Sequence, residues 1–227
     1  MILSLETSTS VCSLALHQEG LCLAEQVYNL PKSHATLMPE VIRQLLDNLN
    51  VQRSALEAIA ISDGPGSYTG LRIGTATGKG LCSALEIPLI SVNSLDIMIE
   101  EMRPIVADIS YIAPMIDARR MEVYMKLIDK KGSELKDTRA VILTPDLFDN
   151  YIEYPILLVG DGARKCEGFI DHPHLKIVPD IYPRAQCMGI LAFQKFKEES
   201  FENLQDFEPN YLKEFHTMPS KNPLGNL

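Results

Sequence analysis

The sequence predicts an α/β protein made of two successive halves, each a mixed sheet with flanking helices. Three observations carry this. Apolar, β-prone runs open the chain and are joined by short turn segments. A helical repeat follows them, and then strands and helices alternate. After Pro104 the same succession begins again, so the boundary is placed there, with halves at 1–104 and 105–227. A chain of 227 residues is long enough to bury a core in each half. No residue-level repeat relates the two.

Ile2–Leu5, Val11–Leu16 and Leu21–Val27 are the opening runs, separated by Thr7–Ser10 and by Glu19-Gly20. Connections this short predict an antiparallel meander. Leu37, Met38, Val41, Ile42, Leu45, Leu46 and Leu49 recur at intervals of three and four, which predicts a helix with one apolar stripe. Glu57–Ser62 reads as a short buried strand ending in Asp63-Gly64-Pro65-Gly66. A small-residue helix is predicted from Gly70 to Leu85, then a strand at Pro88–Val92 and a helix at Ser94–Met102.

In the second half, Tyr111–Ile116 and Glu122–Ile128 flank an Asp-Ala-Arg-Arg turn, and Ala140–Leu143 is a third strand. Thr144-Pro145-Asp146 has the form of a helix start, with Thr144 as cap and Pro145 at the first helical position. Ile156–Val159 runs as a strand into Gly160-Asp161-Gly162, Ala185–Lys197 is a final helix, and Met218–Leu227 is a loose tail.

Composition narrows the function. Hydrophobic content of 46% and charged content of 22% are those of a globular chain, and 21 basic against 30 acidic residues give a net charge of −9. Such a surface repels phosphate backbones at long range, and the basic residues are scattered, so dominant nucleic-acid binding is excluded unless a partner supplies the positive face. No run reaches the ~20 apolar residues of a membrane span. The first strand carries Glu6 and no basic stretch, so it does not read as a signal peptide, and a cytoplasmic protein is expected. Cys12, Cys22, Cys82, Cys166 and Cys187 are an odd number without a C-x-x-C pair, which suggests core thiols in place of zinc or disulfides.

The densest signal is Asp63-Gly-Pro-Gly-Ser-Tyr-Thr-Gly-Leu-Arg-Ile-Gly74, at a strand-to-helix junction. A loop cradling an anion is its sharp reading, because a helix N-terminus offers unpaired N–H groups. The nucleotide templates do not fit. A dinucleotide fingerprint from Gly64 needs glycine at Thr69, and a P-loop ending in Gly78-Lys79 needs one more residue before it and Ser or Thr where Gly80 stands. Gly70, Gly74 and Gly78 share one helix face, continued by Cys82. Three interior glycines cost roughly 2–3 kcal/mol relative to alanine, which a helix carries where another backbone comes close. That backbone is either the chain's own or a helix of another subunit.

Chemistry-bearing residues do not assemble into a catalytic set. His34 has Met38, not histidine, four residues on, and reads as a capping or packing residue; His172 and His174 flank Pro173 in an exposed loop. Ser8 and Ser67 lack a nucleophile elbow. Arg119 and Arg120 either grip a carboxylate or phosphate or close a salt-bridged hairpin end.

Several segments together resemble one family. They are Ile2–Thr9 (ILSLETST), His34 before an apolar helix, Gly64–Gly74 with Lys79-Gly80, Pro114–Tyr124 (PMIDARRMEVY), Val159–Ala163, Tyr182–Ala185 and Pro209–Leu212, and they span nearly the whole chain. In this order they are similar to the TsaB (YeaZ) family of the actin-like, sugar-kinase and heat-shock-protein superfamily. Glu6 stands where Asp is usual, Met121 where Gly is common and Lys213 where Arg is frequent, which loosens any ligand contact at those points.

The resemblance implies two tandem actin-like (ribonuclease H-like) domains in a non-catalytic subunit. Its partner would be TsaD, the metal-holding paralogue that forms N6-threonylcarbamoyladenosine at position 37 of tRNAs reading ANN codons. TsaD-type chains hold metal with His-x-x-x-His, and Met38 breaks that pattern, so no catalytic residue and no metal ligand are expected here. Docking by first-domain helices is implied, through Leu37, Met38, Val41, Gly70, Arg72, Gly74, Thr77, Gly78 and Leu81. Further implications are assembly with the accessory ATPase TsaE and tRNA contact only within the complex. A homodimer of the isolated chain is expected through the same face. No cofactor is required, but a vestigial ATP or ADP site is expected at Thr7, Ser8, Gly64, Gly66, Ser67, Arg119, Gly160, Asp161 and Gly162. The alternative from another class is a stand-alone ATPase or small-molecule kinase using Gly64–Ser67 and Gly160–Gly162 at the interdomain cleft.

Overall fold

A computed structural model describes residues 1–29, 34–105 and 108–213. Strands β1 (Ile2–Glu6), β2 (Cys12–Gln18) and β3 (Leu21–Tyr28) form the expected antiparallel meander. Helix α1 (His34–Asn48) follows, then β4 (Ala58–Gly64), α2 (Tyr68–Leu85), β5 (Leu89–Asn93) and α3 (Ser94–Met102). β4 pairs parallel with β1, and β5 with β4, so the sheet order is β3-β2-β1-β4-β5. β1, β4 and β5 read as near-continuous apolar runs because helices cover both faces of this part of the sheet, whereas the edge strand β3 is half exposed.

The second half repeats this arrangement. β6 (Tyr111–Asp117), β7 (Glu122–Asp129) and β8 (Glu134–Ile142) are a meander, and β9 (Ile156–Val159) and β10 (Leu175–Val178) extend the sheet in parallel from β6. The order is β10-β9-β6-β7-β8. In each sheet the first strand is central, its hairpin partners lie to one side and its crossover partners to the other. This is the tandem actin-like arrangement expected from the resemblance.

Each sheet buries both faces. On the first, Leu3, Leu5, Leu14, Leu16, Ile59 and Ile61 pack with Met38, Val41 and Leu45 of α1 and Cys82 of α2. The opposite face, with Ile2, Ala58, Ala60, Ile90 and Val92, meets Ile97 of α3 and Met188 and Ala192 of helix α4 (Ala185–Lys197). Another side of α3, Leu95, Met98, Ile99 and Met102, packs on Ile112, Ile116, Ile128 and Val159 of the second sheet. The short helix α3 is therefore a wedge between the sheets. Lys126 of β7, nearly buried, pairs with Asp96 of α3 at 2.6 Å and with Glu134 at 3.0 Å, adding an ionic tie between the halves.

Several expectations need correction. α4, assigned by chain position to the second half, packs on the first sheet. Its Ala185 N–H donates to Ser13 Oγ at 2.8 Å and its Gln186 N–H to Glu25 at 3.0 Å. The stretch after it also returns to the first half, with Glu202 N–H bonded to Leu89 O at 2.9 Å. A cut at residue 104 separates the sheets but not the packing. Thr144 starts no helix; the segment makes successive turns that bury Phe148 and end in a 3-10 turn at Asp149–Tyr151. β8 begins earlier than Ala140, since an edge strand wet on both faces has a polar sequence, and β10 was not foreseen. His172 is buried with Nε2 3.2 Å from Tyr151 O, not exposed. The His34 side chain and the tail at 218–227 lie outside the described residues.

α4 is keyed to the sheet through one ring. His17 of β2 is buried, with Nδ1 3.2 Å from Ser4 Oγ and Nε2 3.2 Å from Gln186 O. Gly189 faces it, and a Cβ there would overlap the imidazole. Gly189→Ala should therefore destabilise the fold by about 1–3 kcal/mol through overpacking, read as a lower midpoint in urea or thermal unfolding.

Candidate functional site

The glycine-rich segment folds against its own first strand. Ser67 caps α2, its Oγ accepting the Gly70 N–H at 3.2 Å, and the Ser67 N–H donates to Ser8 O at 2.6 Å. The Thr7 hydroxyl donates to Gly70 O at 2.8 Å. The loop after β1 thus lies directly on the first turn of α2. A Cβ on Gly66 would overlap the Ser8 carbonyl, and one on Gly70 the Thr7 carbonyl. On Gly74 it would meet the Thr7 hydroxyl, and on Gly78 it would come within 2.8 Å of Ile61 Cγ2.

Two corrections follow. The Gly70–Gly74–Gly78 row seats the chain's own β1 loop and β4, so it is not free for a foreign helix. At the expected anion site, the Ser67 N–H and the bare face of Gly66 are engaged by the Ser8 carbonyl, and the Thr7 hydroxyl by Gly70 O. Met38 and Val41 are likewise core residues and leave the docking set.

The counterpart in the second half behaves in the same way. Gly160, with φ of 106°, is pressed against the Met115 carbonyl, and the position of a Cβ on Gly162 lies 2.9 Å from the Ile116 carbonyl carbon. Asp161 Oδ1 accepts the Asp117 N–H at 2.9 Å. Gly160, Asp161 and Gly162 therefore brace the end of β6, and Arg119 stands apart on the exposed hairpin tip. Lys79 is not a phosphate lysine either: its Nζ donates to Phe207 O at 3.1 Å.

That lysine holds a segment that residue types alone did not flag. Residues 203–213 run from the first half to the second. The Asn210 N–H donates to Asp63 O at 2.7 Å, Tyr211 stacks on Tyr68 at 4.7 Å, and Lys213 pairs with Glu122 and donates to Ala118 O at 3.4 Å. Only the Pro209–Leu212 motif marked it. The strap links the ends of β4 and β6.

Two buried acids sit at the same strand ends. Burial pushes the Glu6 carboxyl up to about 7, against hydrogen bonds from Ser8 and Ser62, and one of its oxygens has no protein partner. Burial likewise raises Asp63 to about 6. Among the described residues no three His, Cys, Asp or Glu side chains are grouped to hold a metal, and no helix is long and apolar enough to cross a membrane.

What stays on the surface is the other side of α2. Arg72 is exposed, and Thr77, Leu81 and, from α1, Leu37 are half-buried. Ala76, Gly80 and Ala84, four residues apart, form an exposed row, and no atom of the described residues lies within 4 Å of a Cβ placed on Gly80. The spacing that marked the inner row also marks this one.

Comparison with known proteins places this geometry. A family model described as TsaD, tRNA N6-adenosine threonylcarbamoyltransferase, matches residues 23–220. The tRNA threonylcarbamoyladenosine biosynthesis protein TsaB of Bacillus subtilis (strain 168) is 35% identical, over 93% of this chain and 93% of that protein. The chain belongs to the TsaB family. TsaB of Escherichia coli (strain K12) is 28% identical over 93% and 94% of the two chains. The solved structure of YeaZ from Pseudomonas aeruginosa superposes with a TM-score of 0.78 at 28% identity, covering 93% of this chain and 99% of that one. The family model bears the transferase's name, but the relatives that match end to end are TsaB proteins, so the chain is placed in tRNA threonylcarbamoyladenosine biosynthesis as a TsaB-type member.

The two glycine rows of α2 should respond oppositely. Gly70→Ala should cost about 1–3 kcal/mol by pushing the helix off the Thr7 carbonyl, whereas Gly80→Ala should add about 0.5–1 kcal/mol by restricting the unfolded chain. Urea unfolding of both variants checks this.

Glu6 sets a pH dependence. Its folded value lies above its ordinary 4.5, so its share of stability is full below pH 4.5 and is lost as the pH rises towards 7; Asp63 acts in the same direction. Glu6→Gln should flatten this decline, leaving the variant more stable than the parent at pH 8 by roughly 2–3 kcal/mol, as measured by unfolding at pH 5 and pH 8.

Proposed function

We propose that this chain is the non-catalytic scaffold subunit of the complex that forms N6-threonylcarbamoyladenosine at position 37 of tRNAs reading ANN codons. It works in the cytoplasm, binds and supports the catalytic TsaD subunit, and joins TsaE and tRNA only within that assembly. The observation that carries this is the outward row on α2. A mid-helix glycine costs about 1 kcal/mol, and at Gly80 the chain's own packing makes no use of it. Alanines one turn to either side let another helix come well inside the usual ~8–10 Å separation. Arg72, Thr77, Leu81 and Leu37 border the row and supply polar and apolar contacts around it.

The occupied strand-end turns support the non-catalytic part of the reading. A nucleotide would have to displace the Ser67–Ser8 hydrogen bond and the strap at Asn210 before it reached the N-terminus of α2. No cofactor is assigned to the chain, and the stand-alone ATPase or kinase is the weaker reading. The same α2 face is available to a second copy, which would give a homodimer that TsaD displaces.

Gly74→Leu would drive a side chain into Thr7 and test folding, not docking. Gly80→Phe is the informative change, because its site is open. The variant should keep the parent's circular dichroism and unfolding midpoint and fail to co-elute with purified TsaD in size-exclusion chromatography. Co-elution at unchanged affinity would remove α2 from the interface.

A further inference from the structure

The turn between β6 and β7 is built to present two arginines. Arg119 and Arg120 both have left-handed backbone, with φ of 70° and 50°. A hairpin turn of this hand favours Asn-Gly or Gly-Gly, and ordinary side chains there cost on the order of 1–2 kcal/mol each. The acids beside them are already neutralised by lysines from elsewhere in the chain. Lys165 Nζ lies 2.6 Å from Asp117, and Lys213 pairs with Glu122. Asp117 Oδ1 also accepts the Arg119 N–H at 2.5 Å, and Asp161 is taken by the Asp117 N–H. Among the described residues neither guanidinium has a carboxylate within ion-pair distance. Of the two readings that the sequence allowed, the salt-bridged hairpin end is made by lysines, and the arginines face outwards.

Two apolar side chains stand beside them. Met121 is 42% exposed and Ile142, opposite Glu122 on the edge strand β8, is 69% exposed. We propose that Arg119, Arg120, Met121 and Ile142 form a docking point for a protein surface that carries carboxylates next to apolar side chains. Planar guanidiniums bind carboxylates through paired N–H groups, and two adjacent ones outside any ion pair make a local positive spot on a chain of net charge −9 that steers an acidic partner here. RNA phosphates would meet the same guanidiniums, but the chain's overall charge opposes a polyanion, and Met121 and Ile142 offer it nothing. The tip lies on the second sheet, so this contact is separate from docking on α2.

A photo-crosslinking residue placed at Met121 of the full chain in growing cells tests this, with and without the pair Arg119→Ala and Arg120→Ala. The expected result is cross-linking to one protein, at a peptide rich in Asp or Glu beside apolar residues. The yield should fall about tenfold or more in the double variant at unchanged unfolding midpoint. With the purified chain and that protein, rising salt should lower the yield as well. Cross-links to RNA alone, no cross-link, or a yield indifferent to both the arginines and salt would each overturn the proposal.

Discussion

Everything around the strand ends depends on one close approach, that of α2 to the loop after β1. The Thr7 hydroxyl and the Ser8 carbonyl bond directly to the first turn of the helix, at 2.8 Å to Gly70 O and 2.6 Å from the Ser67 nitrogen. That contact requires the helix face to have no side chains for two turns, which is why Gly66, Gly70 and Gly74 stand where they do. It also engages the N–H of the cap residue Ser67, while the Ser67 side chain takes the Gly70 N–H, so part of the helix N-terminus is spent on the chain's own groups. With one face pinned, the orientation of the rest follows. Leu71 turns into the core, and Ala76, Gly80 and Ala84 turn to solvent.

The duplicated sheets are held together by elements that belong to neither meander. α3 buries one side on each sheet, and Lys126, itself nearly buried, adds an ion pair to the partly exposed carboxylate of Asp96 across the same junction. A buried lysine with two carboxylate partners contributes little net stability against a well-packed apolar alternative, but losing either partner is costly, so such a tie favours one relative placement of the halves. The strap at residues 203–213 does the same on the cleft side, with Asn210 on β4 and Lys213 on the β6–β7 turn. The two halves are therefore braced on both sides of their junction, by α3 and Lys126 on one and by the strap on the other.

Charge is distributed with similar economy. The chain is acidic overall, its carboxyls at Glu6 and Asp63 are pushed towards neutrality by burial, and the acids beside the β6–β7 turn, Asp117 and Glu122, are held by Lys165 and Lys213. Against that background an exposed pair of arginines in a costly backbone conformation stands out more than it would on a basic protein.

The sequence by itself determined the elements and their class. The meander of the first 28 residues, the apolar stripe of α1, the strand-to-helix junction at Gly64 and the restart after Pro104 were legible because side-chain periodicity and turn chemistry are local properties. The false helix start at Thr144 shows the limit of the same reasoning, since a good cap does not decide how a segment packs, and this one turns to bury Phe148. What the tertiary structure alone decided was direction and company. Glycines spaced by four mark a bare helix face, but two such rows run along α2, and only the position of the β1 loop shows that Gly70–Gly74–Gly78 points inwards and Ala76–Gly80–Ala84 outwards. Likewise the return of α4 to the first sheet, keyed by His17 against Gly189, joins residues more than 170 positions apart. Nothing local encodes that pairing, because it rests on the shape of two surfaces that exist only once the chain has folded.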